Sequence, residues 1–279
     1  MKKVLKRFQV FLCFMLILTL TQGVLVSAAA PTISSDTTYT TVCDMARYIY
    51  AGYYHCDTGT NPDFNGPIHI VEATLTEHNQ NTPVYLIGLS GTELILNQPT
   101  NIISDLQCGF EQNNYYLREI VKIICNEIPK GSSIILTGHS LGGMEAQQAS
   151  ENSILKNNYN ILNVISFGSP LINPSGREGT LNRLGDVGDV VPYLSVNTFT
   201  HPVHQIYGLT REDGGYGSDF AAAHMKSYIR EDVWGNYDVL GMKSGTATLS
   251  FRSNEIKGYG AYIIPWLSSL PTIDLTPWT

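Results

Sequence analysis

The sequence lacks the residue spacings that most metal, nucleotide and nucleic-acid sites require. Its five cysteines include no C-x-x-C pair and no cysteine–histidine cluster, which excludes a zinc site of the usual spacing. The glycine-rich stretch that begins at Gly138 lacks the lysine of a phosphate-binding loop. Acidic residues outnumber basic ones, 24 to 17, which argues against binding to nucleic acid or to anionic lipid by charge.

The first 29 residues are typical of a signal peptide. Four basic residues within positions 2–7 precede a nearly all-apolar run at 10–20, and residues 27–30 are small. We therefore expect export, with cleavage after Ala28 or Ala29. The alternative is an uncleaved membrane anchor, because residues 10–30 are just long enough to span a bilayer; polar residues at 19 and 21–23 weigh against it.

Residues 30–279 are long enough for one α/β domain with a substantial core. Removal of the leader takes away four basic and no acidic residues, so the formal charge changes from -7 to -11. Four cysteines remain, Cys43, Cys56, Cys108 and Cys125. They allow up to two disulfides in any of three pairings, or buried free thiols, and both interpretations stay open.

Strand-like and helix-like patterns alternate through the middle of the chain. Apolar residues at 117, 120, 121 and 124 follow the helical spacing, and Pro129 ends the helix predicted for 110–128. Further helices are predicted at 45–54 and 141–152, and strands at 68–75, 84–89, 133–137, 161–167, 181–184 and, as a late edge strand, 246–252. This alternation predicts a mostly parallel central sheet flanked by helices.

The pentapeptide Gly138-His139-Ser140-Leu141-Gly142 lies between a predicted strand and a predicted helix. Glycines allow a sharp turn there, which leaves the hydroxyl of Ser140 exposed at its apex. The N-terminal N–H groups of the following helix point to the place where negative charge develops in acyl transfer. The pattern therefore predicts Ser140 as a catalytic nucleophile.

A serine nucleophile needs a histidine base and a carboxylate that orients it, in the chain order serine, acid, histidine. His224 is favoured because small residues precede it and Tyr228 follows it, whereas His201 and His204 lie in a proline-containing segment. Asp189 is favoured over Asp186 because the apolar residues 190–192 are expected to bury it beside the histidine.

The oxyanion of an acyl-transfer intermediate needs N–H donors placed in advance. One donor is predicted to be the backbone N–H of Leu141, directly after the nucleophile. The second is predicted from the loop after an earlier strand, where Ser90-Gly91-Thr92 ends residues 84–89. Thr92 offers both an N–H and a hydroxyl there.

These motifs together resemble the class 3 (fungal-type) triacylglycerol lipase family of α/β hydrolases. Gly138 to Gly143 resembles its nucleophile signature, Ser90-Gly91-Thr92 its oxyanion turn, and the segments at 167–170, 189–192 and 224–228 resemble its later motifs. The resemblance implies an α/β-hydrolase fold over about residues 68–228. It also implies a Ser140, Asp189, His224 triad, with Thr92 and Leu141 at the oxyanion hole.

Two positions depart from the family pattern. Ser90 stands where the family's oxyanion turn usually has arginine, so the bracing of this turn is in question. Met144 stands where alanine is usual, which adds bulk behind the turn at Ser140 without affecting the chemistry. The family carries a mobile lid after the oxyanion turn; the apolar residues between 94 and 106 suit either a lid or an ordinary packed connection.

The sequence thus predicts an exported serine hydrolase that cleaves carboxylic esters, a lipase or esterase that uses no metal or organic cofactor. We expect a monomer that binds an ester substrate, contacts a lipid–water interface transiently and binds no nucleic acid. An acyltransferase that uses the same acyl-enzyme is one alternative. A non-catalytic binding protein on a hydrolase scaffold is the other.

Overall fold

The computed structural model describes residues 37–50, 67–91, 114–172, 176–193, 208–252 and 257–259. In these ranges lie six α-helices: α1 (Val42–Tyr50), α2 (Tyr115–Glu127), α3 (Leu141–Glu151), α4 (Ser153–Asn158), α5 (Phe220–Lys226) and α6 (Glu231–Trp234). The same ranges hold nine strands: β1 (Thr38–Tyr39), β2 (Ile68–Glu77), β3 (Gln80–Leu89), β4 (Ser133–His139), β5 (Asn160–Phe167), β6 (Thr180–Asp186), β7 (Leu209–Glu212), β8 (Thr248–Phe251) and β9 (Lys257–Tyr259).

The strands form one sheet in the order β1-β8-β2-β3-β4-β5-β6-β7, and β9 pairs with β2. Strands β3 to β7 run parallel to one another, while β1, β2, β8 and β9 pair antiparallel. The carboxyl ends of the parallel strands therefore meet at one edge, where sheets of this kind place their functional residues.

Helices cover both faces of the sheet, so its central strands are buried on both sides. Neighbouring residues Ile134 and Ile135 of β4 point to opposite faces and are both fully buried. One face packs against α1 and Trp234 of α6. The other packs against α2, α3 and Leu155 of α4. Burial on both sides explains why these strands are continuous apolar runs.

The predicted α/β arrangement is confirmed, but one strand was misplaced in the sheet and three strands, β1, β7 and β9, were not predicted. The strand predicted at 246–252 exists as β8, but it lies between β1 and β2 and is not an edge strand. The sequence analysis missed β7, which forms the edge next to β6. Its four residues, Leu-Thr-Arg-Glu, are too short and too polar to show the alternation that predicts a strand.

Several sequence predictions fall outside the described residues. They are the signal peptide at 1–29, the lid candidates at 94–106, Thr92, His201, His204, Cys56 and Cys108. Within the described ranges Cys43 and Cys125 are free thiols. The same ranges contain no cluster of residues suited to holding a metal, and no helix in them is long and apolar enough to cross a membrane.

Candidate active site

Ser140 lies at the turn between β4 and α3, at the carboxyl edge of the parallel strands. Its backbone has φ 56° and ψ -123°, a left-handed conformation that costs energy for any residue with a Cβ. Its N–H donates to the carbonyl of Phe167 at 2.9 Å, and its own carbonyl accepts from the first turn of α3. These contacts hold the strained turn in place, with Ser140 directly before the first residue of α3.

Gly142 allows the first turn of α3 to touch the end of β3. A Cβ at this position would lie 2.1 Å from the carbonyl oxygen of Leu89 and 2.6 Å from that of Ser90. Any side chain here would separate the turn at Ser140 from the segment that follows β3. The glycine in the sequence motif is thus needed for a close approach of two backbones.

His224 and Asp189 form a buried pair beside this turn. Nδ1 of His224 lies 2.9 Å from Oδ2 of Asp189, and Asp189 is fully buried, whereas His224 is 6% exposed. The Tyr228 hydroxyl donates to the same Oδ2 at 2.6 Å, and the Val191 N–H donates to Oδ1 at 2.9 Å. Nδ1 is therefore occupied by the carboxylate, which leaves Nε2 to exchange a proton with another group.

His139 contacts both the backbone and the ring of His224. The sequence analysis assigned no role to His139. Its Nε2 donates to the backbone oxygen of His224 at 2.9 Å, and the two rings lie 4.4 Å apart. Burial, together with the neighbouring His224, holds the pKa of His139 well below its usual range. A neutral ring avoids charge repulsion with His224. Because His139 directly precedes Ser140, these contacts hold His224 against the residue next to Ser140.

Asp186 is also fully buried, but its carboxylate accepts from donors other than the imidazole of His224. Its carboxylate accepts from the Gly188 N–H at 2.7 Å, the Gly214 N–H at 2.9 Å and the Ser227 hydroxyl at 2.5 Å. These donors belong to the turn after β6, the loop after β7 and the turn after α5. Asp186 thus joins the loops around the site, and the carboxylate that reaches the imidazole is Asp189.

Ser90 braces the predicted oxyanion turn where the family pattern has arginine. Its hydroxyl donates to the carbonyl of Ile49 at 2.9 Å, and its N–H donates to the carbonyl of Pro67 at 2.8 Å. Its own carbonyl accepts from the Tyr116 hydroxyl at 3.0 Å. Short contacts to α1, to α2 and to the residue before β2 thus hold this turn without an arginine. Of the two predicted oxyanion residues, only Leu141 is described, at the start of α3.

Arg183 ties together the two segments that flank the pair, and sequence reasoning missed it. The side chain is fully buried on β6, and its Nη2 donates to the carbonyls of Ser169 at 3.0 Å and Pro192 at 3.1 Å. Burial lowers its pKa to about 10, so the guanidinium is still a cation at neutral pH. A buried arginine in a polar stretch of strand carries no sequence signal that separates it from a surface arginine.

Gly168 offers a test of how tightly the pair is packed. A Cβ at Gly168 would lie 2.6 Å from Oδ2 of Asp189 and 3.0 Å from Nδ1 of His224. We expect Gly168→Ala to lower kcat for a p-nitrophenyl ester by about 100-fold, because displacement of a catalytic group by about 1 Å costs that much. Steady-state kinetics on the purified, folded variant measure this.

The matched control is Gly176→Ala. Gly176 also has a positive φ, +94°, but a Cβ there would have no atom of the described residues within 4 Å. It therefore carries the same kind of backbone penalty without the clash, and its kcat should equal that of the wild type. Equal kcat for both variants would show that the pair is not held against Gly168.

A family model described as lipase (class 3) matches residues 29–195, which is more than half of the chain and includes Ser140 and Asp189. The chain belongs to the class 3 lipase family. Class 3 lipases are α/β hydrolases, so the predicted α/β-hydrolase fold is confirmed together with the suspected family. Comparison with curated proteins and with solved structures gave no match.

Membership in the class 3 lipases assigns the chain to the lipase-type hydrolases, whose substrates are esters and lipids. The matched range ends before His224. The assignment of this histidine therefore depends on its contacts with Asp189 and His139 rather than on the family match.

Proposed function

We propose that the protein is a serine hydrolase that cleaves carboxylic esters, with Ser140 as nucleophile, His224 as base and Asp189 as the orienting acid. His224 takes the hydroxyl proton of Ser140 through Nε2 as the oxygen attacks the ester carbonyl. The imidazolium then returns the proton to the leaving alcohol, and an acyl-enzyme remains on Ser140. Water, activated by the same histidine, attacks the acyl-enzyme and releases the acid.

The tetrahedral intermediates carry negative charge on the former carbonyl oxygen. The first N–H groups of α3 are the described donors nearest Ser140, and we assign the N–H of Leu141 to this oxygen. Thr92 is proposed as the second donor. Loss of one such donor typically costs about 3 kcal/mol of transition-state stabilisation.

The observation that carries this proposal is the 2.9 Å contact between Nδ1 of His224 and the buried Oδ2 of Asp189. A buried carboxylate that accepts from Nδ1 fixes the tautomer in which Nε2 is able to accept a proton. The same carboxylate stabilises the imidazolium that forms during attack. Few structural roles require both a buried histidine–aspartate pair and an adjacent serine in a strained turn.

A fluorophosphonate probe tests the assignment directly, because it reacts only with an activated serine. We expect one covalent adduct, located on Ser140 by peptide mass spectrometry, and no adduct after heat denaturation. Competition by an ester substrate should slow the labelling. A folded protein that forms no adduct, or forms it on another serine, would refute the proposal and favour a binding protein.

We also propose that the protein is exported. The support is the pattern of residues 1–29, which lie outside the described residues. N-terminal sequencing of the protein recovered from the medium should find a chain that begins at Ala29 or Ala30. Recovery of the full-length chain in the membrane fraction would favour the anchor instead.

A further inference from the structure

Glu145 is a buried acid that the proposed chemistry does not use. It lies on α3, just over one turn after Ser140, and its side chain is fully buried. Oε1 accepts from Nδ2 of Asn114 at 2.7 Å. Oε2 is also buried and has no hydrogen-bond partner among the described residues. A carboxylate in such surroundings is costly, so the residue calls for a physical reason.

The partner of Glu145 is the residue that begins α2. Oδ1 of Asn114 accepts from the N–H of Leu117 at 2.8 Å, which caps the helix. Its Nδ2 lies within reach of two acceptors on α3, Glu145 and Gln148, the latter at 3.2 Å. The nucleophile helix therefore determines the orientation of the amide that caps α2.

The first turn of α2 in turn holds the predicted oxyanion turn. The Tyr116 hydroxyl lies 3.0 Å from the carbonyl oxygen of Ser90 and 3.2 Å from that of Pro67. The Ser90 carbonyl also packs directly against Gly142 at the start of α3. A closed path of contacts thus runs from α3 through Glu145, Asn114 and Tyr116 to Ser90, and back to α3.

We propose that Glu145 is a positioning residue for the oxyanion turn, acting through Asn114 and Tyr116. The inference rests on the proposed function, because the placement of Ser90 and Gly91 affects the rate only if acyl transfer occurs at Ser140. Glu145 itself touches no reacting atom. Its role is to hold the start of α2 at a set distance from the nucleophile helix.

The surroundings of Glu145 favour its neutral form. Burial raises the pKa of Glu145 from 4.5 to about 8, and the Asn114 amide opposes this rise. No ionisable side chain of the described residues contributes to the shift. Among the described side chains, the other ionisable groups on α3 and on the elements packed against it are Glu151 of α3, Tyr85 of β3, His139 of β4, Tyr116, Arg118, Glu119, Lys122, Cys125 and Glu127 of α2, and Lys156 of α4.

A rise in pH is expected to destabilise the folded protein through Glu145. Because the folded state binds the proton more tightly than the unfolded state, stability from neutral Glu145 is complete below about pH 4.5 and is lost as the pH rises through about 8. Above that value the buried carboxylate is ionised and must be hydrated, and the entering water disturbs the packing of α3 against the start of α2. Turnover should therefore fall reversibly above about pH 8.

Two substitutions and a control test the proposal by kinetics at pH 6 to 10. Glu145→Gln keeps the acceptor for Asn114 and cannot ionise, so kcat at pH 7 should match the wild type and the fall above about pH 8 should disappear. Glu145→Met keeps the bulk but removes the acceptor, so kcat should fall about tenfold with little change in KM. Glu119→Gln, which removes a carboxylate paired with Lys122 on α2, should reproduce the wild-type profile.

Fluorophosphonate labelling separates the two proposals. If Ser140 of the wild type reacts, the serine hydrolase stands. The role of Glu145 is then refuted if Glu145→Gln still loses activity above about pH 8 and Glu145→Met keeps the wild-type kcat. If Ser140 does not react, the proposed function itself fails. Thermal unfolding gives a check that needs no activity: Tm of the wild type should decline relative to Glu145→Gln between pH 5 and 9, and parallel curves would contradict a buried neutral acid.

Discussion

Ser140→Ala is expected to lower kcat/KM for a short p-nitrophenyl ester by about 10⁴-fold or more, without unfolding the protein. The hydroxyl caps no N–H of α3, so its removal breaks no helix cap. Alanine has a Cβ as serine does, so the strained backbone at φ 56° carries a similar penalty in both proteins. The loss should therefore be chemical and not structural, which the kinetics and a thermal unfolding curve measure together.

Ser244→Ala is the matched control for this variant. Ser244 is another serine with a positive φ, 57°, and it lies in an exposed turn before β8. It shares the residue type and the backbone conformation with Ser140, but it is no part of the proposed triad. Full activity is expected there, and turnover that persists in Ser140→Ala would refute the assignment of the nucleophile.

Asp189→Asn is expected to lower kcat by about 10⁴-fold while the protein stays folded. Oδ2 of Asp189 accepts from both His224 and the Tyr228 hydroxyl. An amide nitrogen in this place donates to Nδ1 instead, which selects the tautomer that carries its proton on Nε2. That tautomer is unable to take the proton of Ser140. Single-turnover kinetics with an activated ester measure the acylation step directly.

Asp186→Asn separates the two neighbouring acids. Both are fully buried, yet Asp186 accepts from Gly188, Gly214 and Ser227 and not from the imidazole. An amide nitrogen facing the Gly214 N–H leaves a buried donor unsatisfied, which costs about 2 kcal/mol of stability. We expect a lower urea midpoint with kcat within about tenfold of the wild type. A larger loss of kcat than in Asp189→Asn would reverse the two roles.

The elements of the fold with strong local signals were predictable from the sequence. The helical spacing of Leu117, Ile120, Val121 and Ile124 indicated α2, and all four side chains are buried against the sheet. The Gly-x-Ser-x-Gly motif indicated the turn between β4 and α3, because a sharp turn is also set by residues that are neighbours in the sequence. Strand β8 was placed wrongly in the sheet because neighbours in a sheet are set by long-range pairing, which local alternation does not report.

Local sequence does not show which of Asp189 and Asp186 contacts His224. Apolar neighbours were the reason to favour Asp189, but the structure buries both carboxylates completely. The difference between them lies in which donors surround each oxygen. Each carboxylate has one local donor, two positions along the chain. The donors that differ in kind come from residues 28 to 41 positions away, so only the packing of β6, α5 and the segments after β7 and α5 distinguishes the two acids.

The amino-acid sequence by itself determined the turn at Ser140, the alternation of strands and helices around it and the residue types of a hydrolase, because backbone turns and apolar periodicity are local properties. The tertiary structure alone decided which aspartate meets His224, how Ser90 is braced without an arginine, and that Glu145 is buried beside Asn114. Hydrogen-bond partners and burial depend on residues far apart in the chain. They exist only once the strands and helices have packed together.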